Sequence, residues 1–249
     1  MCFIRMIKLK NIFNRKIDIY KAISDENVDL LEKGLKTGIS PDLLDDFGQS
    51  PIFRIVYNKC DKQERMLNLL FEYGVDPNFK KKPNGETVIH YAKSKKIAKI
   101  LIDNGADIKI RTNYGSTPLH QTFSKEMAEF FVQQGLDVNA RDNNESTPLF
   151  DAVYFGFDLV KYLIEQGAEI EIKNKNGWTP LICLARTEYA DYKDNIEIKR
   201  ICDKLISNGA KIDTMDNDMK DAYQHAIDME NIELAEYLKN KKTKTQQFV

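Results

Sequence analysis

Along most of the chain, apolar residues return at three- and four-residue intervals in short runs that stop at a glycine. DLVKYLIEQG, from Asp158 to Gly167, is the plainest of these and reads as an amphipathic helix. Equivalent runs close on FEYGVDPN at Phe71, IDNGADIK at Ile102, VQQGLDVN at Val132, IEQGAEIE at Ile164 and ISNGAKID at Ile206. Glycine accepts the left-handed conformation that ends a helix, so Gly38, Gly74, Gly105, Gly135, Gly167 and Gly209 mark six helix stops.

A second landmark alternates with the first. GSTPLH at Gly115 recurs as ESTPLF at Glu145 and GWTPLI at Gly177, with weaker copies GQSPIF at Gly48 and GETVIH at Gly85. A threonine hydroxyl suits a helix cap, and proline fits the first turn, where its missing N–H costs nothing. Thr117 with Pro118, Thr147 with Pro148 and Thr179 with Pro180 therefore open helices. Measured between the capping positions Ser50, Thr87, Thr117, Thr147, Thr179 and Asp221, the units are 37, 30, 30, 32 and 42 residues long. In the two 30-residue units, HYAKSKKIAKIL and HQTFSKEMAEFF run straight from one helix pattern into the next, so about one helical turn is missing there. The longest unit carries extra polar and aromatic residues around 188–197, expected as a loop between its two helices.

These landmarks, in order and near a constant period, resemble the ankyrin repeat over residues 17–240. The resemblance implies an all-α fold: an ankyrin-repeat solenoid of stacked helix pairs with short β-hairpin fingers. The expected organisation is a basic leader at 1–16 and a single domain over 17–240. Within it lie an N-terminal cap at 17–46, repeats at 47–82, 83–112, 113–142, 143–174 and 175–216, and a C-terminal cap at 217–240. Capping units are required because the terminal faces of a solenoid meet water. Residues 241–249 are expected to form a frayed basic tail.

Composition narrows the function. The net charge of −1 supplies no general drive toward nucleic acid or anionic lipid. Charge is nevertheless uneven: Arg5, Lys8, Lys10, Arg15 and Lys16 stand in the leader without an acid, whereas 25–46 is predominantly acidic. Both ends read as solvated, with a basic contact patch as the minority view and a membrane-tethered adaptor as a further reading of the leader. No run approaches the roughly eighteen apolar residues of a spanning helix. Cys2, Cys60, Cys183 and Cys202 are far apart and lack histidine partners nearby in sequence, which indicates neither a disulfide framework nor a zinc site and points to a reducing, cytoplasmic setting.

Candidate chemistry is sparse. His90 and His120 share the fourth position of the TPLH block, where Phe53, Phe150 and Ile182 stand in other units, so a structural hydrogen-bonding role is expected of them rather than metal binding. His225 stands one position out of that register. Asp76, Asp107, Asp137, Glu169 and Asp213 all follow the helix-stop region, and repetition at one structural position indicates turns rather than a catalytic pair. Phosphate-cradling and nucleophile-elbow motifs do not occur. The expectation is a chain that is not an enzyme and takes no metal or cofactor.

The resemblance instead implies a protein partner, gripped on the concave side by finger residues and by the exposed ends of the first helices. Carried onto this chain, the finger positions are Phe47, Gln49, Glu86, Tyr114, Ser116, Asn144, Ser146 and Trp178. The helix positions are Arg54, Tyr57, Tyr91, Gln121, Asp151, Tyr154, Phe155 and Arg186. Aromatic and arginine side chains dominate binding hot spots, and the single tryptophan, Trp178, is the foremost candidate. A monomeric interaction module is therefore expected, with a dedicated inhibitor or immunity-type protein as its narrower alternative. An effector enzyme built on 188–197 is the rival class.

Overall fold

A computed structural model describes residues 17–58, 60–187 and 195–246. The leader at 1–16, most of the insertion (188–194) and residues 247–249 lie outside the described residues. Contacts divide the chain into two compact units, with the boundary between Asp107 and Ile108.

The first unit holds α1 (Ile19–Ser24), α2 (Val28–Lys36), α3 (Pro51–Tyr57), α4 (Gln63–Glu72), a 3-10 turn (Val88–Tyr91) and α5 (Lys95–Asp103). First helices of successive repeats pack in one row, α1 on α3 and α3 on the 3-10 turn, while α2, α4 and α5 form the second row. Ile52, Phe53, Ile55, Leu67 and Leu70 are wholly buried where the rows meet. Most of these helices are shorter than the roughly twelve residues that an isolated helix needs in water, so each depends on its neighbours.

The second unit repeats the plan with α6 (Lys125–Gln133), α7 (Pro148–Ala152), α8 (Phe157–Glu165), α9 (Pro180–Ala185), α10 (Asn195–Ser207), α11 (Ala222–Asp228) and α12 (Ile232–Gln246). Here α7, α9 and α11 form the first row and α6, α8, α10 and α12 the second.

The missing turn of the two short repeats is taken from their first helices. One is the 3-10 turn at Val88–Tyr91, and residues 118–121 form only a turn. Ser94 and Ser124 then open the second helices at once, accepting from the backbone N–H of Ile97 and Met127 at 3.3 Å each.

The fingers are turns rather than strand ladders: among the described residues the only β-type pairing is an isolated bridge between Lys81 and Glu86. A side-chain oxygen closes most of these turns instead. Asp45 Oδ1 accepts from Phe47 N and Gln49 N, both at 2.9 Å. Thr112 Oγ1 accepts from Tyr114 N and Ser116 N at 3.2 and 3.1 Å. Asp142, Asn174 and Asp216 do the same for the N–H groups two and four residues on. The finger must turn within a few residues through a left-handed position, Gly115 at φ 79° and Gly177 at φ 77°, which leaves no length for a ladder. A Cβ on Gly115 would meet Asn143 Oδ1 at 2.5 Å, because the next finger lies directly against it.

Three further expectations change. The hydroxyls of Ser50 and Thr147 make no capping bond, since the N–H they would serve already donates to the cap's own carbonyl: Phe53 to Ser50 at 3.1 Å and Phe150 to Thr147 at 2.9 Å. The insertion does not stay a loop as far as residue 197. Its last residues begin α10, and the Glu197 carboxylate accepts from the N–H of Phe157 at 3.0 Å, serving the start of α8. Nor does the chain fray at Lys241. No glycine or proline interrupts α12, which continues to Gln246 while Lys241 pairs with Asp203 at 2.6 Å and Lys242 with Asp221 at 3.2 Å.

The side-chain closure of the fingers is testable. Asp45→Ala strips two backbone N–H groups of their acceptor and is expected to destabilise the protein by about 1–3 kcal/mol in urea unfolding. Asp45→Asn, which keeps the oxygen as Asn174 does naturally, is expected to lie within about 0.5 kcal/mol of the parent. Equal losses in the two variants would show that charge, not the acceptor, matters.

Candidate functional site

The fingers and the ends of the first helices form one side of each unit, and burial there is graded. In the first unit Phe47 is 82% exposed at its finger, with Leu43 and Leu44 also exposed nearby. Gln49 is half-buried. Behind them Tyr57 and Tyr91 face each other with ring centroids 4.6 Å apart, and the Lys81 ammonium lies 5.6 Å from the Tyr57 ring. Arg54 reaches Ser24 Oγ at 3.2 Å. Glu86 is buried and receives the Tyr91 hydroxyl. Burial, followed by that neighbouring carboxylate, raises the Tyr91 pKa well above the usual phenol value. Glu86 is therefore engaged inside the fold.

In the second unit Tyr114 is 59% exposed, and Asn144 is exposed as well. Ser146 takes part in finger contacts, its Oγ accepting from Asn174 Nδ2 at 3.3 Å. Ser116 and Gln121 are half-buried. Phe155 meets Phe123 edge to face with centroids 4.7 Å apart, and Phe123 is 55% exposed. Phe123 is absent from the residues expected from the sequence. Its repeat is one of the two short ones, and the collapse of the first helix turns a position that would be helical onto the surface.

Trp178 is differently placed from Phe47 and Tyr114. It is half-buried, its indole N–H donates to Asp216 Oδ2 at 3.1 Å, and the Arg186 guanidinium stacks on the ring at 4.0 Å from the centroid. Arg186 also bonds to His225 Nδ1 at 3.1 Å, and His225 Nε2 donates to Asp216 Oδ2 at 2.7 Å. Burial works against the Asp216 charge, but the N–H groups of Lys220, His225 and Asp218 hold its pKa below the ordinary carboxylate value. Trp178 and Arg186 are thus joined into an internal network in the last repeats.

The other histidines are also fully engaged. His90 Nδ1 accepts from Thr87 N at 3.2 Å, and His120 Nδ1 accepts from Thr117 N at 3.2 Å. That leaves the proton on Nε2, which in His120 donates to Ser146 O in the next finger at 3.2 Å. Burial lowers the His120 pKa, in keeping with a neutral ring. Burial likewise pushes the Cys183 and Cys202 thiols up to about 12, so neither is a thiolate nucleophile at neutral pH.

Asp151 and Tyr154 lie between these groups, half-buried on and just beyond α7. The Tyr154 hydroxyl donates to Cys183 O at 3.2 Å. Burial and then the Asp142 carboxylate push the Asp151 pKa up from 3.8 to about 7.

The model of tandem ankyrin repeats matches overlapping windows at residues 19–112, 54–142, 93–174, 121–198 and 149–247. An ankyrin repeat-containing protein of Schizosaccharomyces pombe is 40% identical over 100 residues, 39% of this chain and 46% of that protein. The chain therefore matches less than half the length of that relative. No helix among the described residues is long and apolar enough to cross a membrane.

Asp151 gives a pH signature opposite to that of a salt-bridged carboxylate. Its pKa is higher folded than unfolded, so the native state holds the proton longer, and stability falls as pH rises from about 4 through 7. Asp151→Asn is expected to leave stability unchanged near pH 4 and to raise it by on the order of 1–2 kcal/mol at pH 8. Paired urea titrations at the two pH values measure the difference; a variant destabilised at pH 8 would contradict it.

Proposed function

The chain belongs to the ankyrin-repeat family, whose members generally mediate protein–protein interaction without catalysis, and from that premise we propose that it binds a protein partner through its finger and first-helix side. The supporting observation, taken in each unit by itself, is the exposure of large aromatic side chains on this side: Phe47 in the first unit, Tyr114 and Phe123 in the second. Such side chains offer a large contact area at small entropic cost, and partner burial repays their exposure to water. Trp178 and Arg186 support the surface from within, while the residues that contact the partner directly include Tyr114, Phe155 and Asn144.

Affinity purification of the tagged full chain from its native cells identifies the partner, and titration with that partner then tests the surface. Tyr114→Ala combined with Phe155→Ala is expected to weaken binding by about tenfold or more. Lys161→Ala, at an exposed position of α8 that pairs with Glu165 at 3.9 Å, is expected to leave affinity within about twofold. The opposite ranking would move the binding face to the second helices.

A further inference from the structure

The five repeats and the C-terminal cap each place a residue at the same point, four positions after the helix-capping residue: Arg54, Tyr91, Gln121, Asp151, Cys183 and His225. Three of the charged and polar members find clear partners inside the protein. Arg54 bonds to Ser24, Tyr91 to Glu86, and His225 to both Asp216 and Arg186. Asp151 differs. Among the described residues no hydrogen bond or ion pair reaches its carboxylate, and its surroundings act on it only through burial and the like charge of Asp142. Arg186, the cation of the next repeat, is committed to Trp178 and His225.

A half-buried carboxylate whose oxygens reach the surface, with no donor among the described residues, is open to a cation from outside. Tyr154 and Phe155 follow Asp151 on the same segment, and Phe123 lies edge-on to Phe155. Aromatic rings next to an uncompensated negative charge suit a long cationic side chain, whose alkyl stem packs on the rings while its head meets the carboxylate.

We propose that Asp151, with Tyr154, Phe155 and Phe123, forms a subsite for a lysine or arginine side chain of the protein partner. The proposal rests on the reading that this side of the repeats is the binding side. A partner carrying an acidic residue at the same register would be rejected, so the subsite supplies discrimination as well as affinity.

The test uses the full chain and phage-displayed random dodecapeptides. Enriched peptides are expected to share a lysine or arginine beside an apolar residue, and its replacement by methionine should weaken binding about tenfold or more. Asp151→Asn should weaken the same peptides by a similar factor. In the Asp151→Asn protein, the peptide's methionine replacement should then cost little more, because the two changes remove one interaction. Circular dichroism and urea unfolding of Asp151→Asn confirm that the fold is kept. If removing the peptide's basic residue costs as much in the Asp151→Asn protein as in the parent, the subsite is wrong. Peptides weakened by Phe155→Ala but indifferent to Asp151→Asn would keep the binding side and overturn the subsite. Peptides indifferent to both, or no enrichment at all, would overturn the two together.

Discussion

The fold depends on one local interaction, repeated: a side-chain oxygen at the entry of the finger accepts the backbone N–H groups two and four residues further on. Asp45, Thr112, Asp142, Asn174 and Asp216 all make it, with three different side-chain chemistries. The common requirement is an acceptor on a short side chain, not a charge. Once the turn is closed, the next finger can lie against it. Asn143 N donates to Tyr114 O at 2.8 Å and Asn217 N to Asn176 O at 3.1 Å, so neighbouring repeats are registered through backbone groups that the side-chain acceptor has positioned. A second polar link ties the helix-stop turns together. Asn78 donates to Gly105 O and accepts from Asp107 N, and Asn139 donates to Gly167 O and accepts from Glu169 N. Short helices that could not stand alone are thereby held at fixed spacing, and their apolar faces meet.

This division of labour explains what a sequence of this kind reveals. Residues that serve the turn, the cap or the helix stop are dictated by backbone geometry, so they recur and can be read: the TPL blocks, the closing glycines and the unit lengths all correspond to features of the fold. The residues between them are constrained only by solubility and by whatever they meet. Even the left-handed finger position, glycine in most units, is occupied by Glu145 at φ 63° and Met219 at φ 59°, where neighbouring bonds tolerate the strain.

What was not legible has physical causes as well. The loss of a turn in the short repeats could be counted from the spacing, but not assigned to the first helix. That assignment depends on whether Ser94 and Ser124 can cap the second helix, which is visible only once their hydroxyls meet the N–H groups of Ile97 and Met127. The exposure of Phe123 follows from that collapse. The engagement of Trp178 depends on Asp216, a residue 38 positions away whose finger role sets its orientation first. Long-range contacts between equivalent positions of successive repeats are set by the stack, so a single unit's sequence cannot show which aromatic points outward and which lies against its neighbour.

Asp216 and Asp151 show how differently the fold treats the same residue type within one unit. Asp216 receives two backbone N–H groups, the Trp178 indole and the His225 ring, and its pKa is lowered despite burial. Asp151 receives none of these and its pKa rises to about 7. A carboxylate that the fold needs is one that the fold satisfies, because an unsatisfied buried charge opposes folding by more than most single contacts favour it. Asp151 is only half-buried and has no donor among the described residues, and Phe123 nearby in the same unit stays exposed. Within this repeat architecture, where the buried carboxylates of Glu86 and Asp216 are each matched to a donor, that mismatch separates a residue the scaffold merely tolerates from those it is built upon.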